Sequence, residues 1–311
     1  MVQTGNVTEF IFLGLSHNLK IQRICFILFL FLYVSIVLGN SLIVLIVNFS
    51  KNLDSPMYFL LSHFSFVEIC YSSTTSPKLI VDLLAERKSI SLEGCLTQVF
   101  FIHLFGGIEM FVLIIMAYDR YLAICKPLHY TSIMNPWICS LLVGTAWLGG
   151  FLHSTAQILL IFNLPFCDSN VIDHYFCDVL PLLELACTDT FFIGLRIVAN
   201  GGSLTVVSFI ILLSSYSVIL FHLRGHSKEG RRKALSTCAS HITVVVLFFG
   251  PCVFIYLRPN TTCYMDKMVA IFYTVITPLL NPVIYSLRNA EVKNAMRKLW
   301  VRMVKQGMGD P

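Results

Sequence analysis

MFVLIIMAYDRYLAICKPLHY, residues 110–130, is the stretch on which the fold turns. An apolar run dense enough for a lipid bilayer ends in Asp119-Arg120, and a basic, aromatic-rich tail follows. In hydrocarbon the backbone must satisfy its own hydrogen bonds, and a helix does so within one segment. A charged pair at the end of such a helix is either a snorkelling, solvated terminus or a switch.

The rest of the chain repeats the apolar pattern. Its 311 residues are 56% hydrophobic and 13% charged, with a mean hydropathy of +0.77. A soluble domain carries about twice that charged fraction. Crossing a ~30 Å hydrocarbon core takes ~20 mostly apolar helical residues. Runs of that kind place spans at 24–49, 58–80, 96–122, 140–162, 195–222, 237–258 and 267–287, with an amphipathic segment at 290–304. Alternating strand-like segments are absent, so the expectation is an all-α membrane protein with a seven-transmembrane helix bundle. It reads as one domain over 1–311: an extracellular 1–23, the bundle at 24–287 and a cytoplasmic tail at 288–311. Gly201-Gly202, Pro278 and Pro282 interrupt two spans, which neighbouring helices in a membrane tolerate. There is no internal repeat of the kind many transporters carry.

Charge sets the orientation. With the amino terminus outside, the inner loops collect Arg120, Lys126, Arg224, Arg231, Arg232, Lys233, Arg288, Lys293 and Arg297. The outer loops hold Asp168, Asp173, Asp178, Glu184 and Asp189. Basic residues stay inside, so most of the net +5 faces the inner leaflet. That charge suits anionic headgroups of the lipid bilayer rather than nucleic acid. The first residues lack a cleavable signal, and the first span serves as the export signal. Asn6-Val7-Thr8 is an outer glycosylation sequon, and Asn260-Thr261-Thr262 is a second one close to the membrane.

Cys95, Cys167, Cys177, Cys187 and Cys263 fall in or beside outer segments, where disulfides form. Spacing leaves their connectivity open. His222 and His226 have the spacing of a helical metal pair but straddle a basic loop, and His174 with Cys177 is a weak metal signal. No nucleophile, base and orienting acid converge, so the chain does not read as an enzyme.

Asn281-Pro282-Val283-Ile284-Tyr285 lies in the seventh span and Tyr216 near the inner end of the fifth. With Asp119-Arg120-Tyr121 they resemble the rhodopsin-like G-protein-coupled receptors. Four finer motifs follow in order: Pro56-Met57-Tyr58-Phe59-Leu60, Met116 to Cys125, Lys233-Ala234-Leu235-Ser236-Thr237-Cys238-Ala239-Ser240-His241, and Pro278 to Asn289. Together they resemble the olfactory receptors, of the tetrapod-type class II, over nearly the full length. Phe249 stands where that family usually has Tyr, and Glu68 where it more often has Asp.

The resemblance implies a role for Arg120: Asp119 holds it at rest, and a G protein engages it once the sixth helix moves outward. Tyr216, His241, Asn281, Pro282 and Tyr285 are expected in the same switch. The resemblance also implies disulfides Cys95–Cys177 and Cys167–Cys187. The expected partners are a small hydrophobic odorant and a heterotrimeric stimulatory, olfactory-type G protein that raises cyclic AMP. The expected place is the plasma membrane of olfactory sensory neuron cilia.

Glu68 and Glu109 each sit about eleven residues from the inner end of their spans, roughly 16 Å deep at 1.5 Å per residue. Neither span offers a basic partner, and an intramembrane acid is functional by default. Either one carboxyl holds a proton or a cation such as sodium sits between them, with Asn40 and Asn281 at similar depth. No other cofactor is expected.

The ligand pocket is expected in the outer half of the bundle. Ile102 stands where amine receptors carry an acid, so an anchored amine is disfavoured. Ile102, His103, Gly106 and Gly107 are expected from the third helix and Asn200 and Ser203 from the fifth. Phe249, Cys252 and Tyr256 are expected from the sixth, and Thr274 from the seventh. An apolar wall with a few polar groups suits a small volatile molecule. Two rivals remain: a receptor of this fold for a non-odorant metabolite or peptide, and a carboxylate-lined transporter or channel.

Overall fold

The computed structural model describes residues 7–16, 18–50, 53–166, 169–225, 227–257, 264–288 and 292–297. The described residues form seven long helical rods: α1 Leu19–Phe49, α2 Pro56–Asp82, α3 Leu92–Cys125, α4 Pro136–Ile161, α5 Phe191–Leu223, α6 Lys228–Leu257 and α7. The last is built from Tyr264–Ile271, a widened turn at Phe272–Ile276 and Thr277–Arg288. Every expected span is present, and most run about a turn beyond the apolar limits. At α1, α3 and α4 the extra turn is closed by a cap that apolar periodicity cannot see: Asn18, Ser91 and Asn135 side chains accept from Lys20, Gly94 and Ile138 backbone N–H.

Large apolar side chains point outward as well as inward. Leu19, Ile24, Ile27, Phe31, Leu38, Leu159, Phe191 and Phe221 are all exposed. In water such a girdle would aggregate; in lipid it is the solvent-facing side. By length and apolarity α1, α3, α4, α5 and 265–285 can each cross a membrane. α2 and α6 are less apolar, for different reasons. α2 buries Ser62, Ser65, Ser72, Thr75 and Ser76 against its neighbours, whereas α6 opens on the basic Lys228-Glu229-Gly230-Arg231-Arg232.

α3 and α4 approach most closely. A Cβ on Gly150 would lie 2.6 Å from Ile108 Cγ1 and 2.8 Å from the Leu104 carbonyl oxygen. Small residues let membrane helices pack backbone to backbone, and Ser154 adds a hydrogen bond from its hydroxyl to the Phe100 carbonyl (2.5 Å).

The outer end carries a three-stranded sheet that was not anticipated from sequence. β1 Glu9–Phe12 lies between β2 Ser89–Ser91, antiparallel to it, and β3 Val171–Ile172, parallel to it. Gly14, at φ 71°, turns the chain away after β1, a conformation that disfavours a Cβ. Lys267 of α7 then donates to the Gly14 carbonyl (3.0 Å) and pairs with Asp173 (2.5 Å). Burial pushes His174, beside Asp173, down to about 4, so its ring is neutral.

Beneath the sheet, Tyr175, Phe176 and Cys177 are buried. Cys177 is disulfide-bonded to Cys95 at a Cα separation of 5.4 Å. Its N–H donates to Gln98 Oε1 (2.9 Å), and Gln98 Nε2 donates to the Thr74 carbonyl (2.9 Å). The bond closes a loop with a sequence separation of 82, which in a chain-entropy account stabilises the fold by about 4 to 5 kcal/mol. Replacing Cys95 and Cys177 together by Ser is therefore expected to remove most receptor from the cell surface, read by labelling of intact cells. Cys187 is also disulfide-bonded; Cys167, its expected partner, lies outside the described residues, as do Asn6, Asn260 and His226. At the inner end, Val292 and Ala295 of the helical 292–297 pack on Ile43, Ile46, Tyr58 and Leu61.

Candidate functional site

Three buried layers lie along the bundle axis. The inner layer is built around Arg120. Its guanidinium pairs with Asp119 at 3.5 Å, with side-chain exposures of 13% and 1%, so the pair is shielded rather than solvated. Tyr130, in the short turn Tyr130–Ile133 after α3, donates its hydroxyl to Asp119 Oδ1 (2.7 Å). Tyr216 of α5 and His241 of α6 are hydrogen-bonded to each other. Both lie within electrostatic range of Arg120, as do Cys238 and Tyr285. Tyr121 stacks on Tyr118 at 6.4 Å, and Tyr285 meets Phe64 edge-on at 6.4 Å.

The middle layer holds the two acids. Glu68 is fully buried and Glu109 is 1% exposed. Asn281 donates to Glu68 Oε1, and the two carboxyls face each other within hydrogen-bond reach. Asn40 donates to the carbonyls of Ile36 and Pro278 (both 3.1 Å), so it joins the layer through the α7 backbone. That carbonyl is reachable because the residue four positions on, Pro282, has no N–H to donate to it. Asn40 Oδ1, Glu68 Oε2, Glu109 Oε1 and Asn281 Oδ1 are buried acceptors with no donor. A set of hard oxygens including two carboxyls suits a proton or a small hard cation such as sodium. Among the described residues no group of three or more His, Cys, Asp or Glu gathers as a metal-ligand cluster.

The outer layer is a cavity of about 100 Å³ between α2, α3, α4, α5, α6 and α7, covered by Asp178 and the first turn of the short helix Val179–Glu184. Ile102, His103, Gly106, Gly107 and Cys252 line it as expected. Four other expected residues do not. Phe249 is buried against Phe209 and Phe248, and it is Phe248 that faces the cavity. Thr274 is turned toward the cover, where its hydroxyl meets that of Tyr175 (3.1 Å). Ser203 is exposed on the outside of α5 and donates to the Asn200 carbonyl (3.1 Å). Asn200 does not line the cavity either, and its Nδ2 is buried without a partner. The side chain of Tyr256 lies outside the described residues.

Sequence reasoning missed Tyr71, Met110, His153, Ile197, Val198, Tyr273 and the covering residues Asp178, Val179 and Leu180. A signal for His153 was present. Gly150, His153, Ser154 and Gln157 form a small-and-polar stripe at helical spacing on α4. That stripe faces α3 and α5, with Gln157 donating to the Ile197 carbonyl (3.5 Å).

The chain is similar to known proteins over nearly its whole length. The family model described as olfactory receptor matches residues 29–303. The chain is 68% identical over 299 residues to olfactory receptor 4X2 of Homo sapiens, covering 96% of this chain and 99% of that one. It is 62% identical over 307 residues to olfactory receptor 4B1 of Homo sapiens, covering 99% of each. It is 60% identical over 300 residues to olfactory receptor 4B13 of Mus musculus, covering 96% of this chain and 98% of that one. These are receptors of the G-protein-coupled class, not enzymes, and the chain belongs to the olfactory receptor family.

Proposed function

We propose that this receptor binds a small, mostly apolar odorant in the outer cavity and activates a stimulatory olfactory-type G protein from the plasma membrane of olfactory cilia. The observation that carries the reading is the cavity beneath the disulfide-tied segment, whose deepest α3 residue, Met110, adjoins Glu109 of the acid layer. A ligand that fits one packing of α3, α6 and α7 better than another shifts the population by that difference in affinity. Phe248 touches the cavity and Phe249 touches α5, so a shift of α6 at Pro251 reaches both. Further in, the acid layer and the Tyr216–His241 contact lie between that movement and Arg120.

The test is a cyclic AMP reporter with surface-labelled receptor against a broad odorant panel. Dose-dependent activation supports the reading. Silence from a receptor shown to be at the surface, with a flux or current appearing in liposomes instead, would replace it by the transporter reading.

The acid layer is proposed to hold a proton or a sodium ion that favours the resting packing. Two carboxyls this close cannot both be ionised without something between them. A bound cation stabilises the state that binds it, by about 2.7 kcal/mol at a hundred times its Kd. Sodium chloride, compared with choline chloride at equal ionic strength, is expected to raise the melting temperature of the purified receptor. Glu68→Gln is expected to abolish that difference. If the wild type shows no sodium effect, the proton is the occupant.

A further inference from the structure

The cover of the outer cavity contributes a charge that the walls do not answer. Met110, Ile197, Val198 and Phe248 make an apolar wall, and no described lysine or arginine lines the cavity. Asp178 does line it, from the start of the short helix Val179–Glu184. One carboxylate oxygen, Oδ1, accepts from the Val179 N–H (2.7 Å). The other has no hydrogen-bond partner, and no ion pair joins Asp178 to another described residue. Glu68 Oε2 and Glu109 Oε1 are partnerless but sealed, whereas this oxygen keeps open surface.

Two phenols share the cavity with it. Tyr71 of α2 and Tyr273 of α7 both line it and are only 4% and 9% exposed. Neither hydroxyl has a hydrogen-bond partner among the described residues, and neither is sealed. With so little of each side chain exposed, that open surface belongs to the cavity. The Tyr175 hydroxyl, by contrast, is already used by Thr274 (3.1 Å). The Tyr71 ring reaches across to α3, where its Cε2 would lie 3.8 Å from a Cβ on Gly106.

A carboxylate without a counter-charge, beside two open phenols, has a definite complement. A charge taken from water is costly unless it is paired. An anionic ligand would add a second negative charge, and a neutral one would leave the first unanswered. An ammonium supplies the opposite charge together with N–H donors, and the faces of aromatic rings attract it. Ile102 leaves α3 without an acid for this purpose, and the cover brings one from above. Resting on the odorant-receptor reading, we propose that Asp178, with Tyr71 and Tyr273, holds the ammonium group of a short alkyl amine, whose skeleton lies on the apolar wall. An apolar cavity of ~150 Å³ takes up benzene, so one of about 100 Å³ admits a smaller skeleton without rearrangement.

The probes are butylamine, butanol, butanone and butanoic acid, read by melting of the purified receptor and by cyclic AMP in cells. Butylamine is expected to raise the melting temperature and to act at about a tenth of the butanol concentration or less, with butanoic acid inert. Asp178→Asn separates the ligand role from the structural one. Asparagine caps a helix as well as aspartate does, so the variant keeps the turn at Val179 and loses the charge. It is expected to weaken butylamine by about thirtyfold or more, the loss for one partner of a buried charge pair, and to leave butanol unchanged. Butanol or butanone matching butylamine in the wild type, or butylamine acting equally on Asp178→Asn, would overturn the assignment.

The two readouts keep this proposal apart from the reading beneath it. Stabilisation by butylamine that Asp178→Asn removes, without any cyclic AMP, would keep the amine site and count against the odorant-coupling reading. No stabilisation by butylamine would overturn the amine site whatever the signalling, and neutral probes that still signalled would leave the coupling reading standing. A last measurement needs no ligand. Asp178→Asn removes a charge without a partner, so the empty receptor is expected to melt no lower than the wild type. A clear fall would mean that the carboxylate is already satisfied within the fold, and would overturn the proposal.

Discussion

Arg120→Ala is expected to lower agonist-driven cyclic AMP by two orders of magnitude or more at unchanged surface density. Asp119 is 1% exposed and stays hydrogen-bonded to Tyr130 when the arginine is removed, so the inner end of α3 keeps its shape. What is lost is a planar cation with five donors, shielded at rest. Truncating one partner of a buried charged contact across an interface costs about 2 to 5 kcal/mol, and each 1.4 kcal/mol is about tenfold. Arg120→Lys is expected to recover little of the signal, since an ammonium cannot reproduce the fork. The measurement is a full dose-response curve normalised to labelled surface receptor. A variant that signals fully would remove Arg120 from the coupling step.

Gly150→Val is expected to eliminate folded receptor, and Gly150→Ala to weaken it. The methyl carbon of alanine would fall 2.8 Å from the Leu104 carbonyl oxygen and 3.1 Å from the Ile108 backbone nitrogen. Backbone atoms cannot rotate away, so α3 and α4 must separate. Overpacking of this kind costs about 1 to 3 kcal/mol for small additions, and a branched side chain adds two more methyl groups. Gly144, on the same helix, supplies the control because a Cβ there meets nothing within 4 Å. Gly144→Ala is expected to be neutral or slightly stabilising, by roughly the helix-propensity difference of 0.8 to 1 kcal/mol. Melting curves of the detergent-solubilised receptor check all three. Equal behaviour of the alanine variants would mean that the α3–α4 approach is not a tight seam.

The seven spans were legible because a membrane helix announces itself by length and apolarity, and these runs have both. The inner extension of α6 was not: Lys228 to Ser236 reads as a basic loop until it is seen continuing the helix into water. The outer sheet was invisible for another reason. Its register joins Glu9 to Ser91 and Ile11 to Val171, pairings of strands too short to show a period and too far apart in sequence to suggest each other. The cavity was half legible. α3 contributed the expected face because the Arg120 motif fixes its depth and phase, whereas on α6 Phe248 rather than Phe249 faces inward. A one-residue error of phase there is a rotation of about 100°. His153 was missed because α4 was read only as a membrane span, although its polar stripe was in plain view.

The widened turn in α7 gives the same arithmetic a different meaning. Between Phe272 and Ile276 the helix bonds five residues back, the Thr277 N–H reaching the Phe272 carbonyl. One residue is thereby inserted into an otherwise regular spiral, much as an added stair shifts every later landing. Tyr273, in the turn, faces the cavity, and Asn281, two turns on, faces Glu68. Their relative bearing is set by that insertion rather than by the count of residues between them. If the turn tightened to regular helix, Asn281 and Tyr285 would swing by about 100° about the α7 axis while the outer half kept its place. The torsional phase of α7 is thus a discrete variable of the molecule, with its stop located between the cavity and the acid layer.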